Sequence, residues 1–262
     1  MTTKARPASS DTSVATAIGI DIGGTGIKGG VIDLATGALI TPRIKLPTPD
    51  GGEPEDIVET AKQVLDSLQA DPSLPIGIDF PAVVLHGKTM SAANVSKKWI
   101  GFEAEKFFEE KIGRQILFVN DADAAGFAET EYGAAKGHAG VVMLTTLGTG
   151  IGSALIVDGV LVPNTELGHL EIDGHDAESK AAYSAKERDD LSWKKWGKRL
   201  TKYYRTLEKL FSPDLFIIGG GVSKHFDEWS QFVDIDTEMI PAQFRNNAGI
   251  LGAAALAAKK HA

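Results

Sequence analysis

The stretch Ile18–Val31, Ile-Gly-Ile-Asp-Ile-Gly-Gly-Thr-Gly-Ile-Lys-Gly-Gly-Val, constrains this chain more than any other. An apolar run, Ala17–Ile20, enters it, and Val31–Ile32 leaves it. That order predicts strand, glycine turn, strand. Glycine admits backbone angles closed to other residues and leaves space for a ligand against the main chain. Bare N–H groups in such a turn form a concave anion site. Gly23, Gly24, Thr25, Gly26 and Lys28 are therefore candidates to grip a phosphate. The P-loop is excluded, because no Gly-Lys-Ser/Thr follows at its spacing. The dinucleotide fingerprint fits poorly, because a strand rather than a helix follows. Taken alone, the motif is equally an ordinary tight hairpin, so the rest of the chain decides.

The 262 residues suffice for one large or two modest domains. The chain has no cysteine, which removes disulfides, thiolate catalysis and cysteine–zinc sites. No apolar run approaches the roughly 20 residues of a membrane helix. Residues 1–16 lack the apolar core of a signal peptide and read as a disordered tail, with the protein expected in the cytoplasm. A net charge of −8 argues against nucleic acid as a partner, so an anionic substrate needs a local basic patch.

Along the chain, a strand is predicted near 38–45, a helix over Glu55–Gln69, a strand over Pro75–Phe80, and irregular structure over Val83–Gly101. A helix over Ala104–Ile112 precedes a buried strand, Ile116–Val119. That strand runs directly into Asn120-Asp121 and a helix to Tyr132. Polar residues at such a strand end sit where open α/β sheets bind ligands. The cycle repeats: strand Val141–Thr146, glycine turn Leu147–Gly152, strand Ser153–Val157, and a type I′ turn at Asp158-Gly159. The second glycine turn echoes the first at a distance of about 125 residues, an internal duplication. A strand at Asp214–Ile218 ends in Gly219-Gly220-Gly221, and a small-residue helix spans Asn247–Lys260.

Two glycine hairpins, an Asn-Asp at a strand end and a strand ending in three glycines resemble the actin-like ATPase (ribonuclease H-like) fold. Within it, Gly19-Ile-Asp-Ile-Gly-Gly-Thr25, Asn120–Ala125, Thr146–Gly152 and Glu166-Leu-Gly-His169 resemble the ROK family of sugar kinases, and its polyphosphate glucokinases in particular. The segments Ala92–Trp99, Pro163–Glu171 and Pro213–Val222 carry the closer likeness. The resemblance implies two similar α/β domains with a cleft between them, residues 17–122 and 123–246, the first completed by the C-terminal helix. It implies phosphoryl transfer from polyphosphate, ATP or both to the 6-hydroxyl of glucose or mannose, by a monomer or homodimer. Two features depart from the general family pattern. Its three-cysteine zinc motif is missing, so no zinc site is expected and His169 loses a ligand role; and Lys28 stands two positions beyond the family's usual Lys or Asn, at the place of Gly26.

The expected chemistry follows from residue type. A sugar hydroxyl needs a positioned base and a clamp on phosphate charge. Asp121 is the expected base, although an Asp at a helix start also serves as a cap. Asn94, Asn120, Asp121, Glu166, His169 and Glu178 are the candidate sugar contacts, with Glu171 a competitor. Thr146, Gly148, Thr149 and Gly150 are expected on the transferring phosphates, and Gly219, Gly220 and Gly221 on adenosine. Asp21 is expected to hold Mg²⁺, directly or through water. Seven of the 27 basic residues lie between 194 and 209, against one acid. At about 100° per residue, Lys194, Lys198 and Lys202 share one face of a predicted helix, Ser192–Phe211. That face is either a solvated surface or a track for an extended polyanion, with Lys97 and Lys98 guarding another part of it. Two other functions compete, a ROK-type transcriptional regulator and a non-catalytic sugar-binding protein of the actin fold.

Overall fold

The computed structural model describes residues 15–92 and 95–261. Asn94 and most of the expected tail lie outside the described residues; Thr16, assigned to that tail, opens the first strand. Strands β1 (Thr16–Gly23) and β2 (Gly26–Asp33) pair antiparallel with Gly23 opposite Gly26, so Gly24 and Thr25 alone make the turn. The strand expected near 38–45 is two pieces, β3 (Ala38–Leu39) and β4 (Ile44–Leu46), both paired with β2. Pro42 lies in the gap and has no N–H for a ladder. The N–H of Val31 turns instead to the Thr41 hydroxyl, at 3.0 Å.

Helix α1 (Pro54–Ser67) starts on a proline, which suits a first turn, and carries Glu55 and Asp56 there. Strand β5 (Ile76–Phe80) is buried throughout. The stretch read as irregular contains a small hairpin, β6 (Val84–Leu85) and β7 (Lys88–Thr89), and a 3-10 turn, Lys97–Trp99. Helix α2 (Ala104–Ile112), strand β8 (Leu117–Asn120) and helix α3 (Asp121–Glu131) complete the first repeat. The second opens with β9 (Val141–Leu147), β10 (Ile151–Val157) and β11 (Val160–Val162). Asp158 and Gly159 have φ of 50° and 78°, as a type I′ turn demands.

A short ribbon, β12 (Glu171–Ile172) and β13 (His175–Asp176), leads to α4 (Glu178–Ala181), α5 (Tyr183–Arg188) and the long α6 (Trp193–Phe211). Then follow β14 (Leu215–Gly219), α7 (Phe226–Trp229), β15 (Glu238–Pro241) and α8 (Ala248–His261). Helix α6 is capped by the Ser192 hydroxyl on the Lys195 N–H. It buries Trp196, Leu200, Tyr203, Tyr204 and Leu207. Leu210, in the last turn, is exposed.

The two sheets have one topology. Their orders are β3-β2-β1-β5-β8, with β4 also on β2, and β11-β10-β9-β14-β15. In each, an antiparallel meander is followed by two parallel strands. Helices α1 and α2 cover the outer face of the first sheet and α6 the outer face of the second. Between the sheets lie α3 and α8, packed on each other, α8 against β1 and β5, α3 against β10 and β9.

This middle layer is thin because its residues are small. A Cβ on Gly19 would lie 1.9 Å from the Ile250 carbonyl oxygen, one on Gly77 1.9 Å from that of Ala253, and one on Gly252 1.7 Å from that of Ala124. Helix α3 is buried on every side from Ala122 to Glu129. Such a helix shows no apolar stripe, because both flanks face protein. Gly252→Ala is expected to destabilise the fold by about 1–3 kcal/mol, as overpacking against backbone does. Gly24→Ala, where a Cβ meets nothing within 4 Å, is expected to leave the urea midpoint nearly unchanged. Equal midpoints for the two variants would show that α3 and α8 have room to part.

Candidate active site

The strands β1, β5, β8, β9 and β14 end at one cleft of about 860 Å³ between the two sheets. The first glycine turn reaches it through Gly23, Gly24 and Thr25, and the second through Gly148, Thr149 and Gly150, with Thr146 beside them. The ladder of β9 and β10 pairs Leu147 with Ile151, so the second turn is only residues 148–150. Its outer side is braced. The Ser184 N–H donates to the Gly148 carbonyl at 3.0 Å and the Ser184 hydroxyl to the Thr149 carbonyl at 2.6 Å. The Thr48 hydroxyl likewise holds the Gly23 carbonyl of the first turn. With these carbonyls held by protein, the N–H groups of Gly24, Thr25, Thr149 and Gly150 have no acceptor among the described residues. Two turns with open N–H groups thus face one cleft, the concave geometry that suits an anion.

Asn120 and Asp121 divide the work at the floor. Asn120 is the cap of α3: its Oδ1 accepts the Asp123 N–H at 3.0 Å and its Nδ2 donates to the Ala82 carbonyl at 3.0 Å. Asn120 is buried, and one amide hydrogen and one lone pair remain for a ligand. Asp121 is thereby spared the cap. Solvent reaches it through the cleft mouth, while protein crowds its other sides. Crowding by protein on those sides strips water from its carboxyl and pushes it up to about 7, with the N–H of Ala122 opposing and Asp21 and Glu166 adding repulsion.

A row of charge lies beneath the first turn. Lys28 stands directly across from Asp21 and bonds it at 2.7 Å. Lys28, a candidate to grip a phosphate, therefore meets Asp21 and does not line the cleft. On the other side, Asp21 is in register with Asp79 of β5. Asp79 is fully buried, and neither of its oxygens has a partner among the described residues. Burial, with Asp21 and Asp121 nearby, holds its carboxyl well above the ordinary carboxylate range. Asp123 is buried too; its Oδ2 takes the Asn164 N–H at 2.8 Å, and burial pushes it up to about 7.

The opposite wall carries Glu166, His169 and Glu178. Gly168 lets this wall lie close, since a Cβ there would sit 2.3 Å from the Ile151 carbonyl. The Ser153 hydroxyl pins the segment, donating to the Thr165 carbonyl and accepting the Leu167 N–H at 3.0 Å. Burial raises the Glu166 carboxyl, with His169 opposing. Glu178 accepts the Ile151 N–H at 2.9 Å, tying this wall to the second glycine turn. Asn164 ties it to the other half through both polar atoms of its amide, each 2.8 Å from the backbone of Val84.

The cleft thus gathers Asn120, Asp121, Glu166, His169, Glu178, both glycine turns and Gly220. Several expected residues lie off its wall. Gly26 packs on Lys45, while Gly219 and Gly221 flank the lining Gly220. Lys98 pairs with Glu53 and Lys202 with Asp173, and neither these nor Lys97, Lys194 and Lys198 line the cleft. Where no zinc was expected, His169, Asp176 and Glu178 bring one ligand atom each within 4.8 Å of one another. Sequence pattern assigns no role to Asp79, Asp123, Asn164, Ser153 or Ser184. Only an Asp inside an otherwise apolar strand, at 79, was a signal worth reading.

Residues 17–181 match the ROK family. The chain is 47% identical over 257 residues to a polyphosphate glucokinase of Mycobacterium tuberculosis, covering 96% of each chain. It superposes with a TM-score of 0.89 on an inorganic polyphosphate/ATP-glucomannokinase from Arthrobacter, at 50% identity, covering 94% of this chain and 100% of that one. A ROK glucokinase from Streptomyces griseus shares the fold at 23% identity, with a TM-score of 0.80 and coverage of 93% and 99%. The chain belongs to the ROK family, and its architecture is the actin-like ATPase fold.

The buried Asp79 makes a stability prediction. Its folded pKa lies above the unfolded value of about 3.9, so the folded state keeps a proton that the unfolded chain releases. The contribution is full below that unfolded value and is lost as pH rises toward the folded one. Asp79→Asn cannot ionise. The urea midpoint of the variant relative to wild type is therefore expected to rise from pH 5 to pH 8. Parallel profiles would show that Asp79 is ionised and compensated in the folded state.

Proposed function

We propose that this chain transfers a phosphoryl group from inorganic polyphosphate or ATP to the 6-hydroxyl of glucose or mannose, in the cytoplasm. The names of its similar relatives support the donors and the sugar. The observation that carries the chemistry is Asp121: Asn120 has taken the helix cap, leaving a carboxylate open to the cleft between two anion-binding turns. Glu166, His169 and the spare valences of Asn120, with Asn94 and Glu178, hold the sugar hydroxyls. The N–H groups of the two turns and the hydroxyls of Thr146 and Thr149 hold the donor. Gly220 faces the adenosine when ATP is used.

In the transfer, the sugar oxygen bonds to the terminal phosphorus as Asp121 takes its proton. The bond from that phosphorus to the bridging oxygen breaks, and the shortened polyphosphate or ADP leaves. There is little covalent work for the protein beyond positioning and charge. Mg²⁺ fits the oxygen-only donors here: Asp21, on β1 just before the first glycine turn, would hold it directly or through water. Bound there with phosphates, it would offset their charge, and Lys28 would keep Asp21 in place.

The direct test is sugar 6-phosphate formation by the purified protein with glucose or mannose, Mg²⁺, and either ATP or long-chain polyphosphate. Asp121→Asn is expected to cut turnover by about 100-fold or more while calorimetry still detects glucose binding. A variant keeping over a tenth of turnover would remove Asp121 as the base. Because the base must be ionised, kcat/KM is expected to fall as pH drops below about 7. A flat profile from pH 6 to 8 would place the proton elsewhere.

A further inference from the structure

His169 ends the 3-10 turn Leu167–His169 and presents two ring nitrogens to different partners. Nε2 lies 4.0 Å from Glu166 Oε2, on the cleft side. Nδ1 lies 2.8 Å from Oδ2 of Asp176, seven residues further on. The β12–β13 ribbon folds the chain back to make that meeting, with Asp176 opposite Glu171. Asp176 is itself held. Its Oδ1 accepts the Glu178 N–H at 3.2 Å, and its carbonyl accepts the Ser179 hydroxyl at 2.6 Å. Glu178 in turn takes the Ile151 N–H at the second glycine turn. One run of hydrogen bonds therefore joins the imidazole, through Asp176 and the first turn of α4, to the phosphate-facing loop.

We infer that Asp176 is a positioning residue: by accepting the Nδ1 proton of His169 it fixes the tautomer and aims Nε2 at a sugar hydroxyl. Which nitrogen of an imidazole carries the proton is set by the bond the other one makes. With Nδ1–H committed, the neutral ring offers Nε2 as an acceptor into the cleft. Without Asp176, the proton is shared between the two nitrogens and the ring turns freely about its own bonds. Half of the His169 side chain is open to solvent, so packing alone does not hold it. The same carboxylate is the first cause raising the His169 pKa, which agrees with a bond favouring the protonated ring. The sugar as occupant rests on the function proposed above; the dyad rests on geometry alone.

The test separates the two. In metal-free protein without sugar, ¹⁵N-resolved spectra of the imidazoles, with His169 assigned by its loss in His169→Asn, are expected to show the Nδ1–H tautomer. Asp176→Ala is expected to move that signal to the tautomer mixture of a free imidazole, and Asp176→Glu to restore it in part. In the assay, Asp176→Ala is expected to raise KM for glucose about tenfold, the scale of one charge-assisted hydrogen bond. The KM for polyphosphate is expected to change less than twofold, and the thermal midpoint to stay near wild type. Three results would overturn the inference: an unchanged tautomer in Asp176→Ala, an equal rise in both KM values, or displacement of the Nδ1 proton by one equivalent of Zn²⁺. If wild type phosphorylates no sugar but the tautomer still follows Asp176, the proposed function fails and the dyad stands. If the variant unfolds, the same spectra on Asp176→Asn decide, since its amide oxygen accepts the proton more weakly and yields an intermediate tautomer ratio.

Discussion

The structure depends on the closeness of two helices wedged between two sheets. Helices α3 and α8 touch each other and the strands through backbone, not side chains, at Gly19, Gly77 and Gly252. Interiors pack at the density of organic crystals, so one extra methyl at such a contact is felt. The consequence is geometric. Thin helices let the sheets approach, and the ends of five strands then open into one cleft. Because the two halves share a topology, each delivers a glycine turn to that cleft.

The same compression concentrates carboxylates. Asp21, Asp79, Asp121 and Asp123 lie on or beside the strand ends, yet Lys28 is the sole cation paired with any of them among the described residues. Burying charge without a partner is costly, and proteins respond by keeping such groups protonated. The raised carboxyls of the buried Asp79 and Asp123 express that cost. A cleft of this kind gains stability from any ligand that offsets that repulsion, because a ligand held only by the folded state shifts the equilibrium toward it. Stability is given up at the place where the ligand returns it.

Much of the architecture was legible in the chain. The glycine hairpins, α2 at Ala104–Ile112, the type I′ turn at Asp158-Gly159 and the strand that runs into Asn120 follow from local pattern, because each is decided by neighbours in sequence. The likeness between the two glycine turns already spoke of duplication. What local pattern obscured was division of labour. An Asp at a helix start reads as its cap, but Asn120 caps α3 and releases Asp121. A lysine in a glycine hairpin reads as a phosphate ligand, but antiparallel register sets Lys28 across from Asp21. Lys202 reads as part of a basic track, but β12 and β13 bring Asp173 to it.

The sequence by itself determined the elements, the two glycine turns and the identity of the polar residues available to them. Those depend on backbone freedom and side-chain period, which act over a few residues. The tertiary structure alone decided which polar atoms remain free for a ligand and which are spent on the protein. Asp176 meets His169 only because a ribbon turns back, Asn164 reaches Val84 only across the two halves, and Asp79 lacks a partner only because α8 closes over it. A hydrogen bond needs its partners within about 3 Å, and residues 80 apart in sequence, as Asn164 and Val84 are, come that close only through the fold.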